Sequence, residues 1–401
     1  SLTHKQERSL SGTNPSYKIS YGILAGTGHT ASDSYINRVS KVTVENLNID
    51  MKSTPNSKSS IFSADGMYQL SGIRVIRPDD ARGSRAVFQS TGNVNIVIHD
   101  LGSGDYANGI YISGIDNEVL LNDSQITIIN GGSNSAALRI GKGRDTGRDG
   151  GYIHSSGHMM LDTTQSAKAA AIRLIGKDSG LNAAYANSSS RIQSAGNAIL
   201  YGRYDFLFPF DGENQSVALR NSHITTTSNS ASLIKVDTGI SKASLAINGN
   251  SSLLEAAANG WLIQLDNNSE LDVTLSDSGT IAKGLTLANG SNAKLNMSVL
   301  DGASWQLQPK TTLTNGQHVA SLSSLNLING GILDVASNLT DGVKSEYLIQ
   351  SPIASNIRGV ITMSNNSYAD TLTLQGDYRG VGGSILMNTL WNNGGSNGTA
   401  T

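Results

Sequence analysis

The chain has 401 residues, of which 15% are charged, with a formal net charge of −2 at pH 7 and no cysteine. This charge argues against non-specific nucleic-acid binding as the main task, and the lack of cysteine excludes a small fold held by disulfides. No apolar run approaches the ~20 residues of a transmembrane helix. Because no signal peptide opens the sequence, we expect the signal of an exported chain to have been removed.

Residues 1 to about 40 show no regular pattern, and we predict that they form an irregular N-terminal cap over the first turn of the fold. Beyond them, short runs rich in Val, Ile and Leu recur, with apolar residues at alternate positions. Alternation with a period of two indicates strands that have one buried face. The clearest upstream runs lie at 42–44, 94–98, 124–129, 217–219 and 223–225.

A repeat with three short runs per cycle lies between positions 230 and 310. Two of its cycles place their runs at 233–237, 245–247 and 252–254, and then at 262–266, 271–275 and 279–281. Turns such as Asn248-Gly249 and Asn289-Gly290 separate the runs, because Asn and Gly tolerate the positive φ of tight turns. The pattern predicts an all-β chain that folds as a right-handed parallel β-helix with three-strand rungs. We place the helix at residues 41–355, with roughly 14–17 rungs at ~4.8 Å each and a length of about 70–80 Å.

The C-terminal segment, residues 356–401, combines a strand with a Gly-x-Tyr-x-Gly turn, a Gly-Gly pair and an apolar strand that ends in Asn-Thr. The residues of this motif are Gly376, Tyr378, Gly380, Gly382, Gly383 and Asn388, followed by Thr389. The motif resembles the junction that precedes the membrane barrel in the passenger domains of bacterial autotransporters (type V secretion). The resemblance implies an autochaperone-like hairpin that promotes folding and caps the last rung, whose open edge would otherwise be unpaired.

Within that family, the chain most resembles the AIDA-type adhesins, including UpaB-like passengers. The resemblance implies a Gram-negative outer-membrane protein that is exported through the periplasm to the cell surface, or released from it, and anchored by its own barrel. It also implies virulence-related cell adhesion, with fibronectin-like matrix proteins among the partners, or biofilm formation through self-association.

The motifs of known β-helix enzymes are incomplete in this chain. The nearest match to the Gly-Asp-Ser-Gly nucleophile motif of protease passengers is the run 276–279, which lies in a repeat turn. Asp79-Asp80 and the run 156–158 lack the complete histidine and basic motifs of pectin-cleaving β-helices. We therefore predict no catalytic residues, and a polysaccharide-cleaving enzyme is the third alternative for function.

No metal, cofactor or nucleic-acid partner is predicted. His154 and His158 are four residues apart, a spacing that brings two ligands together only on a helix. The run 147–151, Gly-Arg-Asp-Gly-Gly, occurs once, whereas calcium-binding glycine–aspartate repeats need several units in series.

The stretch 139–210 carries nine Lys or Arg against five Asp and ends in an aromatic run at 201–210. In one interpretation Phe206, Phe208 and Phe210 are the inward face of a strand, with the charges solvated around it. In the other, the stretch forms a groove in which Arg and Lys hold sulfate or carboxylate groups while Tyr rings stack on sugars. The predicted ligand-binding residues are Lys142, Arg144, Asp145, Arg148, Asp149, Lys177, Asp178, Tyr201, Arg203, Tyr204 and Asp205.

These observations favour a bacterial surface adhesin over an enzyme. The leading hypothesis is binding of extended, glycosaminoglycan-like host glycans along one face of the β-helix, where successive rungs repeat a contact every ~4.8 Å. The alternative is a self-associating protein in which polar ladders of Asn, Thr and Asp on two rods interlock.

Overall fold

The computed structural model describes residues 3–7, 20–26, 39–52, 70–76, 85–100, 106–141, 150–203, 212–310, 313–314, 316–337, 345–365 and 370–388. The regular structure in these ranges is entirely β-strand. Most of the strands form three long sheets in which neighbouring strands run parallel. Within the same ranges there is no helix with the length and apolarity needed to cross a membrane.

Sheets 1, 2 and 3 are numbered in the order in which each turn of the chain visits them. Sheet 1 consists of β1 (Thr3–Glu7), β4 (Leu47–Lys52), β7 (Asn93–His99), β10 (Asp123–Ile129), β13 (His158–Thr163), β16 (Ser189–Ser194), β20 (Ser222–Thr226), β24 (Leu253–Glu255), β27 (Ile281–Lys283), β30 (Ser304–Gln306), β33 (Ile332–Asp334), β35 (Val360–Thr362) and β37 (Ser384–Leu386). Sheet 2 consists of β2 (Ser20–Gly26), β5 (Leu70–Ile76), β8 (Ala107–Ser113), β11 (Ala136–Ile140), β14 (Ala170–Ile175), β17 (Ile199–Gly202), β21 (Ile234–Val236), β25 (Ile263–Leu265) and β28 (Thr286–Ala288).

Sheet 3 consists of β3 (Val39–Val44), β6 (Arg85–Ser90), β9 (Glu118–Leu121), β12 (Gly151–Ser155), β15 (Ser179–Ala183), β19 (Ser216–Arg220), β23 (Ala243–Asn248), β26 (Glu270–Leu275), β29 (Lys294–Leu300), β31 (His318–Ser321), β32 (Ser324–Ile328), β34 (Glu346–Ile357) and β36 (Thr371–Val381). A short corner pair joins β18 (Gly212–Glu213) to β22 (Ile240–Ser241). One turn through the three sheets is a rung. Rung 1 holds β1, β2 and β3, rung 4 holds β10, β11 and β12, and rung 5 holds β13, β14 and β15.

The in-register stacking of rungs confirms the predicted parallel β-helix with three strands per rung. Between β26 and β29, Leu271 pairs with Leu295, Val273 with Met297 and Leu275 with Val299. Apolar side chains therefore stack on apolar side chains along the axis of the rod. Crossovers between parallel strands of one sheet are right-handed in nearly all proteins, in agreement with the predicted hand.

The core is a set of aliphatic columns that run the length of the rod. One column in sheet 1 consists of Ile96, Ile126, Leu161, Ile192, Ile224 and Leu254, all fully or almost fully buried. Each such side chain contributes about 1.5–3 kcal/mol when it is removed from water. Because its contacts lie mainly in the rungs above and below, no rung is stable alone.

The turns between strands use the residues that the repeat predicted. Gly249 and Gly290, each the second residue of an Asn-Gly pair, have φ values of +98° and +108°. Asn130, Asn221 and Asn329 also have positive φ, between 47° and 59°. Only Gly, and to a lesser extent Asn and Asp, adopt this conformation at low energy.

The described part of the N-terminal segment differs from the predicted irregular cap. Residues 3–7 and 20–26 are strands that pair in parallel with β4 and β5. They therefore continue sheets 1 and 2 and form most of rung 1. The longest sheets contain 13 described strands, which at ~4.8 Å per step correspond to about 60 Å of stacked rungs.

The C-terminal segment is a further turn of the helix, and the predicted hairpin is wrong. β36 pairs in parallel with β34, and β37 pairs in parallel with β35. The side chains of Val381, Ile385 and Met387 are exposed. The described part of this segment, up to residue 388, therefore continues the rod, and β36 and β37 do not form a hairpin with each other.

The glycines of the C-terminal motif have a structural role in this last turn. Gly376 has a φ of +135°, and a Cβ there would lie 1.8 Å from the carbonyl oxygen of Ser351. Gly382 also has a positive φ, and a Cβ on Gly383 would lie 2.2 Å from Oδ1 of Asn356. The motif thus allows the last turn to lie close against the preceding one.

Deletion of residues 371–401 should lower thermal stability and slow refolding. The deletion removes β36 and β37 and leaves the edges of β34 and β35 unpaired, so that buried side chains such as Tyr347 and Ile361 gain exposure. Circular dichroism melts and refolding kinetics would measure both effects. Deletion of residues 389–401 alone, which keeps both strands, is the control. Equal melting temperatures for the two deletions would contradict the stabilising role of the last turn.

Candidate functional site

The corner between sheets 2 and 3 brings part of the predicted ligand-binding set together. Lys142, Arg144, Asp145, Arg148, Asp149, Tyr204 and Asp205 lie outside the described residues. The strands or turns that follow their segments, at Gly150 in rung 4 and at Gly212–Glu213 in rung 6, both lie at this corner. Between them, in rung 5, are Lys177 and Asp178: a Cβ on Gly150 would lie 2.6 Å from the Asp178 carbonyl oxygen, and Asp178 N–H donates to the Glu213 carbonyl at 2.9 Å.

Lys177 belongs to a column of alternating charge at this corner. Its Nζ lies 3.1 Å from Oε2 of Glu213, and Nζ of Lys242 in the next rung lies 3.1 Å from Oε1 of the same carboxylate. The hydrogen bonds from Lys177 and then Lys242 lower the pKa of Glu213. One acidic partner, Glu213, and one basic partner, Lys242, lie beyond position 210, outside the stretch 139–210 counted in the sequence.

Tyr201 is a core residue, and its prediction as a sugar-stacking ring is wrong. Its side chain is 0% exposed and points inward from β17. The hydroxyl donates to the carbonyl oxygen of Ser244 at 2.7 Å, and burial raises the pKa of Tyr201. Arg203, two residues further along, is half-buried at the corner.

Three aromatic rings form a row on the outer surface of sheet 3, which we call the aromatic shelf: Tyr152, His154 and Tyr185. Tyr152 and His154 are alternate residues of β12, so both point outward, with ring centroids 6.4 Å apart and planes at 23°. The Tyr185 ring lies 6.5 Å from that of His154, and its hydroxyl lies 2.9 Å from His154 Nδ1. Tyr185 is 38% exposed, so the row is open to solvent at this end.

A glycine allows Tyr152 to lie flat on the sheet. Gly180 pairs with Tyr152 across rungs 4 and 5, and a Cβ at Gly180 would lie 2.6 Å from Cδ1 and Cε1 of the tyrosine ring. Partial burial, and then the nearby Asp178 carboxylate, raise the pKa of Tyr152. Asn214 Nδ2 donates to Asp178 Oδ1 at 3.0 Å. The shelf thus combines a flat apolar face with amide and carboxylate groups, an arrangement that suits a ligand with both C–H faces and hydroxyl groups.

A second aromatic and basic cluster lies on sheet 2, but it is buried. The guanidinium carbon of Arg139 lies 5.3 Å from the centroid of the Tyr106 ring and 5.5 Å from that of Tyr111. Arg139 and Arg173 are 6% and 4% exposed and donate to the carbonyl oxygens of Asn134 and Ser133. These two arginines therefore hold the neighbouring corner in place and add no charge to an exposed face.

The weak catalytic and metal motifs do not form sites within the described ranges. His154 and His158 lie in different sheets, where His158 Nδ1 is 2.9 Å from Ser189 Oγ. Across the residues that the structure describes, no three His, Cys, Asp or Glu side chains are grouped to hold a metal ion. Asp277, in the run 276–279, occupies a turn with a φ of +74°, whereas Asp79 and Asp80 lie outside the described residues.

Sequence reasoning missed the shelf because it treated the strand of Tyr152 and His154 and the turn that carries Tyr185 separately. His154 was considered only with His158, and neither Tyr152 nor Tyr185 was singled out. The alternation Tyr-x-His in 152–154 was a usable signal for two outward rings. The contact of Tyr185 with His154 could not be predicted from alternation, because it depends on how rung 5 stacks on rung 4.

Comparison of the chain with models of protein families, with curated protein sequences and with solved structures gave no match. The fold therefore rests on the structure itself, and the autotransporter resemblance rests on the C-terminal motif.

Replacement of Tyr201 by Phe should lower the free energy of unfolding by about 1–2 kcal/mol, because it removes the hydroxyl that donates to the Ser244 carbonyl. Chemical denaturation would measure the change. Tyr185→Phe removes an exposed hydroxyl bonded to His154 and should have little effect on stability. A larger loss in Tyr185→Phe than in Tyr201→Phe would contradict the placement of Tyr201 in the core.

Replacement of Lys242 by Ala should raise the pKa of Glu213 toward the ordinary value of 4.5 while leaving it below that value, since Lys177 remains. Because the folded-state pKa is lowered, this interaction stabilises the fold above the unfolded-state pKa and is lost as the pH falls through the folded-state pKa. Nuclear magnetic resonance of labelled glutamate would follow the titration. Lys294→Ala is the control, because both lysine side chains are 66% exposed and Lys294 pairs with Glu270 instead. An unchanged Glu213 pKa in Lys242→Ala would contradict the ion-pair column.

Proposed function

We propose that this protein is a glycan-binding surface protein of the adhesin type and that the aromatic shelf holds the sugar. The observation that carries the proposal is the row Tyr152, His154 and Tyr185, with centroids 6.4 and 6.5 Å apart on an outward face. Tyr152 and His154 are partly exposed and nearly coplanar in orientation, with the Tyr185 ring tilted by 57° beside them, so the row offers ring faces on which the C–H groups of a pyranose can pack.

Polar groups at the edge of the shelf support the same ligand class. Asp178 and Asn214 lie at one end, and Asn182 pairs with His154 across the two rungs. Carboxylate and amide groups accept and donate the hydrogen bonds that sugar hydroxyls require. The exposed end beyond β15 provides access, because Ala186 and Asn187 follow Tyr185 on the surface.

The described charges around the shelf are of both signs. Arg85 pairs with Glu118, and Lys177 and Lys242 flank Glu213, while Asp178 and Arg203 also lie at this corner. The proposal that the glycan is acidic and glycosaminoglycan-like therefore depends on Arg203 and on Lys142, Arg144 and Arg148, the last three of which lie outside the described residues. A screen must compare neutral, carboxylated and sulfated glycans.

The cell-surface location and the adhesin class are part of the proposal. They are supported by the elongated β-helix and by the C-terminal motif from Gly376 to Asn388, which resembles the end of an autotransporter passenger. An elongated rod suits a protein that presents a binding face at a distance from the cell. Matrix proteins such as fibronectin remain a proposed second class of partner.

Self-association is a second candidate, favoured by one observation on sheet 3. In rungs 8 to 10, Asn296 Nδ2 donates to Asp272 Oδ1 at 2.9 Å and Ser324 Oγ donates to Asn296 Oδ1 at 2.9 Å. Such a flat polar ladder could pair with a second copy. However, these side chains already satisfy one another, which leaves fewer groups to bond across an interface. A settling assay on cells that display the protein would detect self-association.

Replacement of Tyr152 or Tyr185 by Ala should reduce glycan affinity by about 2–10-fold each, the effect expected from the loss of one ring contact. A glycan array followed by calorimetry of the best binder would measure this loss. Tyr378→Ala is the matched control, because Tyr378 is 41% exposed and lies in the last turn, far from the shelf. The proposal fails if no glycan binds, or if Tyr378→Ala weakens binding as much as the shelf variants. Thermal melts would show that the variants are folded.

A further inference from the structure

We infer that the bound glycan lies across the rod, along the strands of rungs 4 and 5, and that the site holds a short oligosaccharide segment. This inference rests on the proposed function. It differs from the expectation that a polymer runs along the axis and repeats one contact in every rung.

The direction of the ring row is the first argument. Tyr152 and His154 follow one another along β12, and the strand direction is perpendicular to the stacking direction of the rungs. Asn182 pairs with His154, and Tyr185 lies three residues further along the same course. The three rings therefore extend the row across the width of sheet 3.

The neighbours along the axis are the second argument, because they contain no rings. The column of Tyr152 continues as Glu118 in rung 3, Gly180 in rung 5, Ser216 in rung 6 and Ser244 in rung 7. The column of His154 consists of Leu120, Asn182, Ala218 and Ala246 at the same levels. A glycan that followed the axis would meet a ring in rung 4 and only small or polar side chains in the rungs that follow.

The ends of the row are the third argument. Lys177 and Asp178 at the corner between sheets 2 and 3 lie two to three residues before Gly180, which at ~3.3 Å per residue is about 7–10 Å from the Tyr152 ring. A ligand across the rod would thus pass from a charged corner onto the near-parallel rings of Tyr152 and His154. It would end at the tilted ring of Tyr185, where the sheet turns away. Three rings in this arrangement suit a trisaccharide or a tetrasaccharide.

The glycine beneath Tyr152 provides a way to test the role of this ring without removing it, and Ser244 provides a way to test the direction. Gly180 has no positive φ, and so alanine fits its backbone. A Cβ there would push the tyrosine ring off the sheet, since the ring atoms lie 2.6 Å from the Cβ position. Ser244, two rungs further along the same column, has an outward side chain that a larger residue can replace.

The experiment measures affinity against ligand length and against a block placed on the axis. The probes are size series, from disaccharide to dodecasaccharide, of heparin-derived oligosaccharides and of neutral β-1,4-linked glucan oligosaccharides. For a ligand across the rod, affinity per site should rise with ligand length up to the trisaccharide or tetrasaccharide. For longer probes it should change by no more than about twofold. The Ser244→Trp variant should bind the longer probes within about twofold of the wild type, and Gly180→Ala should weaken all probes that reach the plateau by about 2–10-fold.

Two results would overturn the inference while leaving the proposed function intact. One is an affinity that keeps rising with ligand length up to the dodecasaccharide and that is lost when Tyr152 is replaced. The other is a loss of more than about tenfold for long probes in Ser244→Trp with no loss for the trisaccharide. If neither series binds, the proposed function fails for these glycan classes, and the inference fails with it. Circular dichroism of Ser244→Trp and Gly180→Ala would establish that each variant retains the β-helix.

Discussion

In-register parallel stacking is the constraint on which the rest of this structure depends. A rung buries only a few aliphatic side chains, and it buries them against the same positions of its neighbours, as Ile126 does between Ile96 and Leu161. A shift of one residue would turn the whole inward set toward solvent. The register is therefore strongly specified in every sheet, and so is the position of every outward side chain.

The same constraint explains why residues of similar chemistry have different roles. Arg139 and Arg173 point outward, but a corner of the chain covers them, and their guanidinium groups bond to carbonyl oxygens of that corner. Tyr201 points inward, and its hydroxyl donates a hydrogen bond to a backbone carbonyl oxygen of the next rung. Tyr152 points outward on sheet 3 and remains partly exposed. The role of each side chain is decided by whether it points into or out of the rod and by whether a neighbouring corner covers it. Residue type alone does not decide it.

The corners are where the rungs differ most, and the candidate site lies beside one of them. The corner between sheets 2 and 3 is a tight turn at Lys177 and Asp178 in rung 5, whereas longer segments leave it in rungs 4 and 6. The strands beside it keep their spacing because the core fixes them. Variable segments on a constant frame are a common way to place a binding surface, and here the frame also supplies Tyr152 and His154 of the ring row.

The sequence by itself determined the class of fold, because strand alternation and turn chemistry are local properties. The runs at 271–275 and 262–266 and the Asn248-Gly249 turn could be read without knowledge of any contact. The composition of the candidate site was not readable in this way, since Tyr152 and Tyr185 are 33 positions apart and the corners between them differ in length. Only tertiary stacking decided that Gly180 lies under Tyr152, that Glu213 neutralises Lys177, and that the C-terminal motif forms a rung and not a hairpin. Each of these depends on which residues of successive turns lie above one another, and that register is set by the whole core.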